Sequence, residues 1–316
     1  HRHGVPLFIS ILMEDNSLKI LGSCAALPSL KMNQSAYALN MNSKTFLIDC
    51  GENAQQALRH YCVNHSRMNH IFISHLHGDH CFGLIGLIST LDLLGRRSDI
   101  TIHSHKGLEE ALRPQLDFFC NYLHFKVQFE TFSPFSSEII YENDKIEVSS
   151  IPLKHSIPTS GFLFREKPHR RHLRADKAKF YNIPIEQYKF ILNGDDYVTP
   201  DGIVVPNNNL TLPPSPQKSF AYLSDTAYNE KVVDTIKGVD ILFHESTFLE
   251  KDRVRAKQTF HSTASDAAKI ASLAEAKKLV IGHFSTRYRD RKMFLEEAKP
   301  IFENTFLGND GNEFTF

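Results

Sequence analysis

Cysteine is scarce in this 316-residue sequence: Cys24, Cys50, Cys62, Cys81 and Cys120 are an odd number, with no Cys-x-x-Cys pair. That excludes a disulfide framework and points to a reducing compartment, with the cytoplasm as the expectation. An excess of either charge is also missing. The 36 Lys and Arg balance 36 Asp and Glu, so a polyanionic partner must be met by a local basic patch rather than by the whole surface. No transmembrane segment appears, because the apolar run Val5 to Leu12 is too short to cross a bilayer and no Ala-x-Ala-like cleavage site follows it. Solenoid repeats are absent too. Against these absences stands an apolar content of 41%, enough for a sizeable core and too much for general disorder. Residues 1–12, ahead of Met13, read as an upstream extension, and residues 13–316 as a single domain.

Short β-rich runs recur, and each ends in a residue able to bind metal or move a proton. Thr45-Phe-Leu-Ile leads to Asp49, Ile71-Phe-Ile to His75, Phe220-Ala-Tyr-Leu to Asp225, Ile241-Leu-Phe to His244, and Leu279-Val-Ile-Gly to His283. Sheets that gather functional loops beyond one end of their strands produce this pattern. Helices are expected over Gln55 to Tyr61, Cys81 to Leu94 and Ala264 to Ala276, the last opened by the capping-box pair Thr263 and Asp266. The class is mixed α/β.

The densest feature is His75-Leu-His77-Gly-Asp79-His80, four ligand-type side chains in six residues. Imidazoles and a carboxylate converging on one loop suit zinc, although Mn²⁺ and Fe²⁺ accept the same donors. Adding His155, Asp225 and His283 gives seven candidate ligands, enough for two metals with Asp225 able to bridge. Two ions about 3.5–4 Å apart can hold a hydroxide and polarise a phosphoryl oxygen. His261 is a candidate general acid whose pKa a helix start should lower, and Glu245 a candidate to orient it.

From about Arg165 to Pro200 charge and proline replace the regular apolar runs. Arg165, Lys167, Arg170, Arg171, Arg174, Lys177 and Lys179 face only Glu166 and Asp176 in the head of this stretch. It reads either as a solvated loop or as a protruding contact for phosphates. The Pro- and Asn-rich segment Pro206 to Pro216 reads as a return linker.

In order and content these pieces resemble the metallo-β-lactamase superfamily, and within it the RNase Z family of tRNA 3′-processing endonucleases. The first likeness rests on Asp49, the cluster from His75 to His80, and His155, Asp225 and His283. The second rests on Asp49-Cys-Gly-Glu-Asn-Ala-Gln55, His77-Gly-Asp-His-Cys-Phe-Gly-Leu84, His244-Glu-Ser-Thr-Phe248 and His261-Ser-Thr-Ala264. The resemblance implies an αββα four-layer sandwich, a homodimer, and a protruding arm, here at about 165–200, that grips precursor tRNA. It also implies two zinc ions, one held by His75, His77 and His155 and the other by Asp79, His80 and His283, with Asp225 shared. A metal-bound hydroxide oriented by Asp79 would attack the phosphodiester, and His261 would protonate the leaving 3′ oxygen. The chain departs from the family's basic loop near the site, since Leu30 and Met32 stand where basic residues are common. A phosphodiesterase or lactonase of the same fold would share the ligands without needing the basic stretch. A metal-stabilised RNA-binding module would instead have a closed, structural site.

Overall fold

A computed structural model describes residues 16–316; the segment 1–12, read above as an extension, lies outside the described residues. The chain first builds a seven-stranded sheet from β1 (Ser17–Gly22), β2 (Ala36–Met41), β3 (Lys44–Cys50), β4 (Met68–Phe72), β5 (Ile100–Ser104) and β6 (Val127–Thr131). A second sheet of seven begins with β7 (Ile139–Glu142), β8 (Ile146–Pro152) and β9 (Ser160–Glu166). After an insertion holding β10 (His172–Leu173), β11 (Tyr197–Val198), β12 (Val204–Val205) and β13 (Thr211–Leu212), it continues with β14 (Ser219–Leu223), β15 (Ile241–Glu245), β16 (Leu279–Gly282) and β17 (Thr305–Leu307). The last strand, β18 (Glu313–Thr315), returns to pair with β1.

Between the sheets, Phe46, Phe72, Phe162, Phe164, Phe220, Tyr222 and Phe243 form an aromatic-rich core. Helices α1 (Ala54–His60), α3 (Leu84–Leu93) and α4 (Leu108–Phe119) cover the first sheet's outer face, with the four-residue α2 (Gly78–Cys81) just before α3. On the second sheet's outer face lie α8 (Arg253–Thr259), α9 (Ala264–Leu273) and α10 (Lys292–Ala298). The result is the four-layer αββα sandwich. β14, β15 and β16 are buried along their whole length, as strands covered on both faces must be, which is why they read as unbroken apolar runs. Thr263 and Asp266 form the capping box that starts α9.

The sheets aim their functional loops at one edge. β3 runs parallel to β4, and β14 to β15 and β16. β8 shares the direction of β14, because both are antiparallel to β9. The loops after β4, β8, β14, β15 and β16 therefore leave from carboxyl ends at the same side, where ligand sites of α/β sheets form. A bare backbone contact seats the start of α3 there: a Cβ on Gly83, its N-cap, would lie 2.1 Å from the Gly51 carbonyl oxygen.

The insertion differs from its expected bounds. Arg165 and Glu166 belong to β9, and the inserted unit runs on to Lys218. It holds α5 (Ala175–Phe180), α6 (Ile185–Asn193) and α7 (Asn207–Leu210), and packs its own small core of Ile183, Ile191, Tyr197, Val205 and Leu210. The segment read as a return linker is thus partly structured, with β13 paired to β10 and Asn207 donating to the Ile191 and Asp195 carbonyls, both at 2.7 Å.

Candidate metal centre

Seven side chains from four loops converge at the common edge. His75, His77, His155 and Asp225 offer donor atoms all within 4.8 Å of one another, as do Asp79, His80 and His283. Asp225 faces both groups with different oxygens. Its Oδ2 lies 3.6 Å from His75 Nε2 and 3.8 Å from His155 Nε2, while its Oδ1 lies 3.5 Å from His80 Nε2 and 3.3 Å from His283 Nε2. Asp79 Oδ2 is 3.5 Å from both His80 Nε2 and His283 Nε2.

This donor set fits metal. His77 Nδ1 sits 3.1 Å from His75 Nε2 and 3.3 Å from His155 Nε2. Two nitrogens each about 2.0–2.1 Å from one tetrahedral ion would be about 3.3–3.4 Å apart. His80 Nε2 and Asp225 Oδ1 are buried and have no hydrogen-bond partner among the described residues, a costly state that a shared cation would relieve. Burial lowers the pKa of His75, His77 and His155, which favours the neutral, ligating form. Around His80 the balance reverses: burial opposes the charge, but Asp225, Asp79 and Asp49 outweigh it and hold the imidazole well above its usual range. That corner of the site calls for positive charge.

His80, His155 and His283 are oriented from behind, the usual design of metal histidines. His80 Nδ1 donates to Asp49 at 2.7 Å, and His155 Nδ1 to the Phe260 carbonyl at 2.9 Å. Asp49 is itself fixed by the Ser74 amide at 2.8 Å and the Tyr222 hydroxyl at 2.6 Å. His283 Nδ1 donates to Thr247 Oγ1 at 2.9 Å, leaving Nε2 free for metal. Asp49 and His283 both sit in the left-handed region, at φ 55° and 59°, a strain that persists where surrounding contacts fix it.

His261 stands over this centre. Its Nε2 is 4.0 Å from Asp225 Oδ2 and its Nδ1 is 2.8 Å from Glu245 Oε1. Glu245 is buried and also accepts from the Thr226 and Ser262 amides at 3.1 Å, and from the Thr247 amide at 2.9 Å and hydroxyl at 2.8 Å. The expected lowering of the His261 pKa is wrong in sign. Burial does pull it down, but the Glu245 and Asp225 carboxylates prevail and raise it to about 9. A helix start acts through partial charges, whereas Glu245 brings a full one within hydrogen-bond reach. With Nδ1 engaged by Glu245, His261 turns Nε2 toward the metal ligands.

Ser74, Tyr222 and Thr247 are functional neighbours that the sequence did not reveal, since Ser, Thr and Tyr at strand ends carry no signature of the ligand they will support. The seven basic residues do not come to the centre. They lie at or beyond the Glu166 end of β9, about six residues or roughly 20 Å from the end nearest the ligands. Arg171 is engaged within the insertion, with Thr211 at 2.7 Å and Asn208 at 2.9 Å. Lys167 pairs with Glu142 at 2.8 Å, Arg174 with Asp176 at 3.3 Å, and Lys177 lies over the Phe180 ring. Arg165, Arg170 and Lys179 are exposed.

Two family models match the chain: Anti-Pycsar protein Apyc1 over residues 16–171, and a Beta-lactamase superfamily domain over residues 209–284. Ribonuclease Z of Phocaeicola vulgatus is 50% identical over 298 residues, covering 94% of this chain and 96% of that protein. Ribonuclease Z of Bacteroides thetaiotaomicron is 51% identical, covering 94% of each. Among solved structures, the short form of human tRNase Z superposes with a TM-score of 0.69 at 24% identity, covering 95% of this chain and 98% of that one. The metallo-β-lactamase fold protein YhfI from Bacillus subtilis gives 0.66 at 17% identity, with 96% and 100% covered. At these identities the two structures bear on the fold alone.

Proposed function

The chain belongs to the ribonuclease Z family, and from that premise we infer how its residues perform the family's reaction. It is a hydrolytic endoribonuclease of tRNA 3′ processing. Our reading is that it cuts one phosphodiester of precursor tRNA, leaving a 3′-hydroxyl on the tRNA and a 5′-phosphate on the trailer. The observation that carries this reading is His261, held at Nδ1 by the buried Glu245 with its Nε2 turned toward the ligand Asp225. A small closed structural site would have no use for a proton donor there.

His75, His77 and His155 would hold one zinc ion and Asp79, His80 and His283 another, with Asp225 between them. Bound there, such metals supply an activated water and polarise the phosphoryl oxygens. Asp79 Oδ2, fixed by the Ala26 amide at 2.8 Å, is placed to orient the attacking water by accepting a hydrogen bond from it. His261 donates from Nε2 to the departing 3′ oxygen, and Glu245 and Thr247 keep its ring in that orientation. The inserted unit, with exposed Arg165, Arg170 and Lys179 at its root and on its surface, is the arm that holds the RNA body away from the scissile bond. A homodimer is supported by exposed apolar side chains at the ends of α3 and α4 and in the turn after α4, where Leu93, Phe118, Phe119 and Tyr122 are 70–84% exposed. No helix among the described residues is long and apolar enough to cross a membrane. Together with the free cysteines this supports our reading of a cytoplasmic enzyme.

Incubation with a 3′-extended precursor tRNA tests the function. We expect one cut at the base of the trailer with the ends named above; a 2′,3′-cyclic phosphate or scattered cuts would overturn it.

A further inference from the structure

Beside the metal cleft, which measures about 680 Å³, lies a second cleft of about 820 Å³. One loop divides them. Ala26 and Pro28 line the metal cleft, whereas Ser29, Lys31 and Met32 line the second. The loop is pinned at both ends: the Ala26 amide donates to Asp79, Gln34 Nε2 to the Ala26 carbonyl at 2.8 Å, and the Asn33 amide to Asp310 at 2.7 Å. It is therefore a fixed rim, and a chain leaving the metal centre across it enters the second cleft.

That cleft is cationic. Lys31 stands on the loop side, and Arg289, Arg291 and Lys292 on the other. Its two carboxylates offset this only in part. Asp310 is occupied by the Ser23 hydroxyl and the Asn33 amide, and burial raises its pKa; Asp290 accepts from the Lys292 amide. Arg291 is a rigid wall, stacked over Phe284 and bonded to Asn309. Arg289 and Lys292 are exposed and unneeded for the core. The cleft has the size of a small-ligand site, too narrow for a duplex.

We propose that this cleft binds the phosphates of the single-stranded 3′ trailer, with Arg289 and Lys292 as the contacts that set trailer preference. This deepens the reading of the site as a precursor-tRNA endonuclease and rests on it. The acceptor stem upstream of the cut is a duplex and needs a broad surface; only the trailer is single-stranded over several nucleotides. The loop carries Leu30 and Met32 and contributes one cation, Lys31, so most of the charge that holds the strand comes from across the cleft.

The test compares cleavage of precursors with a trailer of one nucleotide and of about ten, in the native enzyme and in the double variant R289E/K292E. We expect the native enzyme to favour the long trailer in kcat/KM and the variant to lose that preference. Two single-strand phosphate contacts also imply that the native preference falls about sevenfold between about 50 and about 200 mM salt, and the variant's does not. Equal loss on both substrates would assign the cations to the acceptor stem and overturn the proposal, as would no change. A 5′-phosphorylated oligoribonucleotide of trailer sequence, bound to the protein and read by fluorescence anisotropy, separates the two levels: weaker binding to the variant supports the cleft even if no precursor is cut, and equal binding refutes it.

Discussion

Replacing Glu245 by Gln removes one buried negative charge and keeps its shape. The carboxylate lies 2.8 Å from His261 Nδ1. With charge centres about 4 Å apart and an effective dielectric of about 20, the pair is worth about 4 kcal/mol, or about 3 in pKa. His261, held at about 9 in the native protein, should then titrate near about 6 in the variant. At about pH 7.5 its protonated fraction falls from nearly all to about 3%, so a step that needs this proton slows about 30-fold, and the deficit narrows to about twofold near pH 6. The Gln amide also leaves at least one of the Thr226, Thr247 and Ser262 amides without its acceptor, which costs about 1–3 kcal/mol of stability. Because the native imidazole is raised above its unfolded value of about 6.5, the stability it contributes is complete below that pH and lost as pH rises through about 9. The variant lacks this dependence. Single-turnover cleavage across pH and an NMR titration of the His261 ring in metal-free protein measure the two effects. A deficit of equal size at pH 6 and pH 8, or a ring still titrating near pH 9, refutes the reasoning.

Asp225→Asn weakens both groups of ligands at once, so metal content measured by plasma emission should drop for both sites and activity with it; loss from one site alone would mean that Asp225 does not bridge. Joining Glu166 to Ser219 by a short turn is geometrically feasible, since the Glu166 amide already bonds the Lys218 carbonyl at 2.9 Å. That enzyme should lose most of its kcat/KM on precursor tRNA while still hydrolysing bis(p-nitrophenyl) phosphate. Burial lowers the pKa of His70 to about 4 and of His103 to about 3, where the two rings meet at 3.1 Å. The unfolded chain takes up protons there below about 6.5 and the native one does not, so metal-free protein should lose stability as pH falls from about 6.5 to about 4. Urea midpoints that fall no further in the native protein than in His103→Asn would show that this pair is not responsible.

Several ligands were legible because apolar runs announce the strands and end in a donor: His75 after β4, Asp225 after β14 and His283 after β16. What the sequence hid is what depends on distance across the fold. Glu245 and His261 are 16 residues apart, so a local argument from the start of α9 gave the wrong direction for the pKa. Thr247 reaches His283 across 36 residues and has no pattern of its own. The true extent of the insertion was obscured because β10 to β13 are two-residue strands and α7 a four-residue helix, too short for any periodicity.

The central claim is that His261 gives its proton to the departing 3′ oxygen. A precursor in which that oxygen is replaced by sulfur tests it directly, because a thiolate leaves without a proton. His261→Ala should slow cleavage of the ordinary substrate by about 10²- to 10⁴-fold, keep its metal, and cut the sulfur substrate nearly as fast as the native enzyme does. An equal loss on both substrates would show that His261 acts elsewhere.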